Sequence, residues 1–305
     1  MRNSLSDVHP FSKLIFSLFI ILATFLLTFL IGFLFAIPIF HINIADLPNV
    51  LANYTEPNNI RFLKYLQTLQ AIGLFIIPAF IIGYVFHSKS TKYLKFEQIT
   101  IRPIVFTVII LFASVPIINF LAVINEGMQF PDWLSGIENW MANKETDAKE
   151  LTDAFLKMDT LGSLYFNIFM IGILPSIGEE LIFRGIFQRL FAEWTKNIHW
   201  GIIIAAFLFS AMHMQFYGFL PRFLLGVLLG YLFYWSGSIW LPMLGHFVNN
   251  TTAVILYYFY ADKMTDNIEN FGANQDSYMY LILGIIVVVP LLYLFYKENF
   301  RSSTS

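Results

Sequence analysis

Residues 161–191 read LGSLYFNIFMIGILPSIGEELIFRGIFQRLF, and this stretch decides the fold. An apolar run of this length is far beyond the 4–8 residues of a buried strand and must be helical. Carried to residue 192 at 1.5 Å per residue, it gives a helix of roughly 48 Å against a hydrocarbon core of ~30 Å, so it is a membrane span with length to spare. Yet it contains Glu179, Glu180 and Arg184. An ionisable side chain at bilayer depth costs roughly 2.5–3.5 kcal/mol, so each needs a partner or a chemical task. Pro175, Ser176 and Gly178 stand just before the two carboxylates. They predict a bend or restart there, with Glu179 and Glu180 in the first turn, where free amides favour negative charge.

The rest of the chain has the same character. Of 305 residues, 57% are hydrophobic, 18% aromatic and 12% charged, and the apolar residues lie in runs rather than stripes, which predicts an all-α polytopic membrane protein. Hydropathy places eight spans at about 13–40, 66–87, 103–125, 161–192, 198–215, 217–235, 239–260 and 278–296. Unbroken runs exclude the strands of a membrane barrel. The first run exceeds a signal-peptide core and lacks a small-residue cleavage site, so it reads as a retained span. A net charge of -2 gives no electrostatic case for nucleic acid as a partner. The absence of cysteine removes thiol proteases, Cys-ligated zinc and disulfides together.

Loop charges set the orientation. Segment 88–102 carries Lys89, Lys92, Lys95 and Arg102 against Glu97, and the 189–196 segment carries Arg189 and Lys196 against Glu193. Loops 41–60, 126–160 and 261–277 are acidic or near neutral. With Lys297 and Arg301 near the end, the positive-inside rule predicts a plasma-membrane protein with both termini cytoplasmic. In the longest loop, Trp140, Met141, Leu151, Phe155 and Met158 recur at helical spacing and predict an amphipathic helix on the outer surface; an ordinary solvated connecting helix is the plain alternative. The chain divides into an N-terminal three-span region (1–160) with this outer loop, a core (161–260), and a last span with a cytoplasmic tail (261–305) ending in a frayed RSSTS.

The polar residues inside the spans are of few types. Glu180 and Arg184 are four apart and stack on one helix face as an ion pair. Glu179 points about 100° away with no local cation, which marks it as a candidate general base. His246 and Asn250, also four apart, share a face and can both donate to a developing oxyanion, while a neutral imidazole can instead ligate metal. His213 lies in the fifth run; His9, His41, His87 and His199 fall at span ends or in loops. Counted strictly, Glu179 and His246 lie toward the cytoplasmic side and His213 near the outer end of its span. Gly226 and Gly230 form a GxxxG that predicts close helix packing rather than dimerisation. HExxH, GxGD and GxSG are all missing, which leaves serine, aspartyl and HExxH metalloprotease mechanisms without support.

Glu179-Glu180 to Arg184 (EExxxR), Phe209 to His213 (FxxxH) and His246 to Asn250 (HxxxN), in that order, resemble the CPBP family, which groups type II CAAX prenyl endopeptidases with bacteriocin-processing and abortive-infection-related membrane proteins. The resemblance implies an intramembrane endopeptidase with a polar cavity opening toward the cytoplasm, acting on a membrane-associated protein or peptide. It implies Glu179 as the base that activates water, His213 helping to hold it, His246 and Asn250 on the oxyanion, and Glu180 and Arg184 holding the geometry. Glu179, His213 and His246 would also be the ligands of a zinc ion with an open water position. The sequence supplies no carboxylate partners for both histidines, which favours metal-free chemistry. A non-catalytic bacteriocin-immunity or scaffold protein is the alternative; a proton-coupled transporter, the third reading, lacks inverted repeats.

Overall fold

The computed structural model describes residues 8–53, 56–128, 130–260 and 277–299. The expected loop 261–277 (apart from Ser277), the RSSTS tail, Arg2 and Arg301 lie outside the described residues. Among the described residues every regular element is helical, as it must be where no water can satisfy an open backbone. The main helices are α1 (Pro10–Phe40), α2 (Pro57–His87), α3 (Ile101–Glu126), α4 (Ser135–Leu156), α5 (Leu161–Thr195), α6 (Ile198–Ala211), α7 (Phe219–Ser236), α8 (Trp240–Tyr260) and α9 (Tyr278–Asn299). The protein is an all-α polytopic membrane protein, and all eight expected spans are helices.

Six of them, α1, α2, α3, α5, α7 and α9, are long and apolar enough to cross a membrane on length and composition. The two that fall short belong to the polar centre. Helix α6 has 14 residues against the ~20 of a span, and its chain turns before His213. Helix α8 has 21 residues, but His246, Asn249, Asn250, Thr251 and Thr252 dilute its hydropathy. The apolar stretches of α2 and α5 are 44% and 39% buried, against 11% and 17% for α1 and α9. Helices α2 and α5 are therefore central, and α1 and α9 present most of their surface to lipid.

Helix α5 does not restart at Pro175. It runs unbroken from Leu161 to Thr195, with two wider π-helical turns at Ile168–Ile173 and Phe183–Phe187. The carboxylates lie between these turns, past the first turn after the proline. Pro175 has no N–H to give the carbonyl of Ile171 four residues back. That carbonyl instead accepts a 3.0 Å hydrogen bond from Asn250 Nδ2 on α8, so a neighbouring helix repairs the ladder where the sequence predicts a break. The start of α5 is fixed by a reciprocal cap between Thr160 and Ser163, and that of α6 by Asn197 Oδ1, which accepts from the amides of His199 and Trp200.

The bundle has two chemically distinct ends. At one, Ile239 N donates to Lys95 O at 2.9 Å, Ser238 Oγ to Glu97 O at 2.7 Å, Arg189 to Tyr93 O, and Lys13 pairs with Glu193 at 2.8 Å. These contacts gather segment 88–98, the last turns of α5, the 237–239 turn and the start of α1. At the other, Asn125 Nδ2 donates to Phe216 O at 2.9 Å while its Oδ1 accepts from Leu220 N, Glu145 accepts from Tyr217 N at 3.2 Å, and Trp140 packs on Phe216 with ring centroids 5.4 Å apart. The amphipathic helix α4 is thus not adrift on a surface. Its Phe155 is buried, and Asn167 ties it down, donating to Phe155 O at 2.6 Å and accepting from Lys64 Nζ at 2.8 Å. Met158 lies beyond the helix end.

Candidate active site

Arg184 and Glu180 form the expected pair, Nη1 to Oε1 at 2.7 Å, with side chains 1% and 0% exposed. The guanidinium has further contacts: Nη2 donates to the carbonyl of Gly226 at 3.0 Å, and the group sits 4.8 Å from the centre of the Phe209 ring. One turn further along α5, Gln188 Nε2 donates to the carbonyl of Gly230 at 3.1 Å. A Cβ on Gly226 would lie 3.0 Å from Ala206 Cβ, and one on Gly230 would lie 2.8 Å from Ile202. The GxxxG therefore serves packing within the chain: glycines bring α7 close to α6 and expose carbonyls to Arg184 and Gln188. Sequence reading missed Gln188, although its spacing of four from Arg184 matches the spacing of the two glycines.

Glu180 has a second partner. His246 Nδ1 lies 2.8 Å from the same Oε1. A carboxylate only accepts, so the proton of this contact is on Nδ1 and Nε2 is turned away from Glu180. Nε2 faces Glu179, 3.9 Å from its Oε2. Glu180 thus orients His246, a partnership across helices that the sequence did not reveal, although a carboxylate is not supplied to both histidines. His213, in the turn after α6, uses Nδ1 against the Phe209 carbonyl at 2.8 Å, which likewise leaves Nε2 free of the backbone. The Phe209 ring meets both imidazoles edge-on, with centroids 5.1 Å from His213 and 5.8 Å from His246. Read from sequence as a motif letter, Phe209 is the wedge that spaces the two rings.

Each carboxylate has one oxygen, Oε2, buried with no hydrogen-bond partner, but it is Glu179 that lines a cavity of about 550 Å³, which also takes in His213, His246, Asn250, Arg222 and Gln70. The strict span count had set His213 apart from Glu179 and His246; because α6 ends at Ala211, His213 comes back to the level of Glu179. Arg222 is held by Gln215, through its carbonyl at 3.1 Å and its Oε1 at 3.0 Å. Asn250 is partly committed, since one N–H serves Ile171 and its Oδ1 accepts from Asn249; one N–H remains. A larger cavity of about 1190 Å³, bounded by Arg61, Lys64, Asp153 and Tyr257, contains none of the motif residues, which makes the smaller one the candidate site.

The expected zinc ligands Glu179, His213 and His246 line one cavity, but among the described residues no three His, Cys, Asp or Glu side chains converge as metal ligands. The cavity's place in the bundle also separates two expectations. Its walls are the middle of α2 and of α5, the end of α6, the start of α7, the second half of α8 and the inner face of α4. It thus lies toward the α4 end, away from the basic loops, and cannot open to the cytoplasm if the basic loops face it.

Residues 161–252 match the family described as Rce1-like, type II CAAX prenyl endopeptidases. Two proteins of Bacillus subtilis (strain 168) are similar in sequence. "Uncharacterized protein YpbD" is 28% identical over 27% of this chain and 41% of its own length, and "Putative membrane peptidase YdiL" is 27% identical over 44% of this chain and 51% of its own. The chain thus spans about half or less of these relatives. No solved structure matches. The stretch holding both carboxylates, both imidazoles and Asn250 is the stretch that matches the Rce1-like family of membrane proteases.

Proposed function

We propose that this protein is an intramembrane endopeptidase that hydrolyses a peptide bond of a membrane-associated protein or peptide by a glutamate-activated water. The observation that carries this reading is the unequal treatment of two adjacent carboxylates. Glu180 is enclosed, its Oε1 shared by Arg184 and His246 and its Oε2 buried away from the cavity, whereas Glu179 presents its buried, unpartnered oxygen at the cavity.

In this mechanism Glu179 takes a proton from water and the resulting hydroxide attacks the carbonyl carbon. His213 Nε2 accepts the water's other hydrogen and fixes its direction. The carbonyl oxygen becomes an oxyanion beside Asn250, whose spare N–H donates to it, and beside His246 Nε2, which donates when protonated. Such preorganised donors are worth about 10²–10³ in rate each. Glu179 then passes its proton to the leaving amine as the C–N bond breaks, giving a carboxylic acid and an amine with no other reactant consumed. Glu180 and Arg184 touch no reacting atom; they hold His246.

The protein sits in a plasma membrane with both termini cytoplasmic, on the strength of its basic loops. The test is Glu179→Gln, purified in detergent and offered a quenched fluorescent peptide library. The amide keeps the shape and loses the base, so turnover should fall at least ~100-fold. Because Glu179 Oε2 has no bond to lose, thermal stability should not fall. Wild-type cleavage by Glu179→Gln would overturn the mechanism.

A further inference from the structure

We infer that the catalytic cavity opens on the extracytoplasmic face of the membrane, so that the scissile bond is delivered from that side. This rests on the protease reading for its consequence, but not for its geometry. An even number of helical passes returns the last described residues to the end where α1 starts. The contacts agree: Lys13 at the start of α1 meets Glu193, Tyr296 near the end of α9 packs on Trp235 at the end of α7, and Tyr278 at the start of α9 packs on Phe120 near the end of α3. Both described chain ends therefore lie with segment 88–98 and the 237–239 turn.

Charge is distributed between the two ends with a bias. The end that holds the chain ends carries Lys89, Lys92, Lys95 and Lys196 in short connections and Lys13, Arg102, Arg189 and Lys297 within the adjoining helix ends. The opposite end is dominated by the 127–160 connection, which has three Lys, no Arg and seven Asp or Glu, besides Asp46 and Glu56 before α2, Arg61 and Lys64 within its first turns and Arg222 in the first turn of α7. Orientation follows Lys and Arg in short loops near span ends, and the short, basic connections are all at the first end. The cavity is at the second: α4 contributes Ala148, Leu151, Thr152 and Phe155 to its wall, and the turn after α6 contributes His213 and Gln215. Basic loops inside thus put the cavity, and α4 over it, outside. A substrate would be a segment exposed on the outer surface or lying in the outer leaflet, such as an exported peptide or the external edge of a membrane span.

The absence of cysteine makes the test direct. Asn143→Cys on α4 and Thr91→Cys between the basic residues of segment 88–98 are both exposed positions. Each full-length variant is made in a bacterial host, and intact and permeabilised cells are treated with a membrane-impermeant maleimide. The inference expects Asn143→Cys to label in intact cells and Thr91→Cys only after permeabilisation. A green fluorescent protein fused after Ser305 provides a second reading and should fluoresce, as it does only when it stays in the cytoplasm. Labelling of Thr91→Cys but not Asn143→Cys in intact cells, or a dark fusion in a protein made in full, overturns the inference. Neither readout needs proteolysis, so a wrong orientation is separable from a wrong activity.

Discussion

Removing Glu180 gives the sharpest test of how the site is held. Its Oε1 accepts from Arg184 at 2.7 Å and from His246 at 2.8 Å, with no solvent exposure. At an effective dielectric of about 20, unit charges 2.7 Å apart attract by about 6 kcal/mol. Desolvation of both groups cancels much of that, but losing one partner strands the other, and breaking a buried pair costs about 3–5 kcal/mol. In Glu180→Ala, Arg184 keeps only the Gly226 carbonyl and the Phe209 ring. Thermal unfolding in detergent, followed by the fluorescence of the six Trp, should shift down by on the order of 10 °C. Replacing both charges with apolar residues of similar volume is commonly neutral or stabilising. The double variant Glu180→Leu/Arg184→Met should therefore recover most of the lost stability. It should not recover cleavage, because His246 has still lost the carboxylate that fixes Nδ1. A wild-type transition in Glu180→Ala, or a double variant as unstable as the single, would refute the reasoning.

Other expectations follow from single contacts. Asn250→Ala leaves the Ile171 carbonyl with neither Asn250 nor a proline amide, so stability should drop by about 1–3 kcal/mol and cleavage should fall as well; an unchanged unfolding temperature would dismiss the bond. Gly230→Ala puts a methyl 2.8 Å from Ile202 and 2.9 Å from Gln188 Oε1, which should cost about 1–3 kcal/mol by overpacking. The same heating assay reads this, and the variant should keep the wild type's elution position on size exclusion, since the glycine is spent inside the chain. Phe209→Ala removes the wedge between the imidazoles and the ring under Arg184, costing about 3–5 kcal/mol. Phe209→Leu should recover part of that stability with turnover still reduced; full turnover in Phe209→Leu would show that the ring's edge does not set the imidazoles.

The spans were legible in the sequence because hydrocarbon demands length and apolarity, and a run such as Phe11 to Phe40 meets both without ambiguity. The Glu180–Arg184 pair was legible for a similar reason, being fixed by helical spacing on one element. What sequence could not give was partnership across helices. His246 Nδ1 reaches Glu180 over 66 residues, and Asn250 reaches Ile171 over 79. Periodicity carries no term for either. The misread break at Pro175 has the same root: proline removes one donor, and whether the helix fails depends on whether another helix supplies a replacement.

That replacement links the fold to the chemistry. Asn250 can reach the Ile171 carbonyl only if α8 lies tight against the π turn before Pro175, and the same approach sets His246, one turn earlier on α8, against Glu180. The second π turn, Phe183–Phe187, lies between the carboxylates and Gln188. A π turn carries an extra residue per turn and so rotates everything after it relative to what came before. Arg184 can then serve Glu180 on its own helix and Gly226 on α7 at once, while Gln188 meets Gly230 and Glu179 is left facing the cavity. Irregular turns on both sides of the two carboxylates let one helix serve α7 and α8 through Arg184, Glu180 and Gln188 while Glu179 faces the cavity. In a bilayer, where an ionisable group is costly, a carboxylate facing a cavity rather than packed side chains has room for the water that the proposed mechanism gives it as a partner.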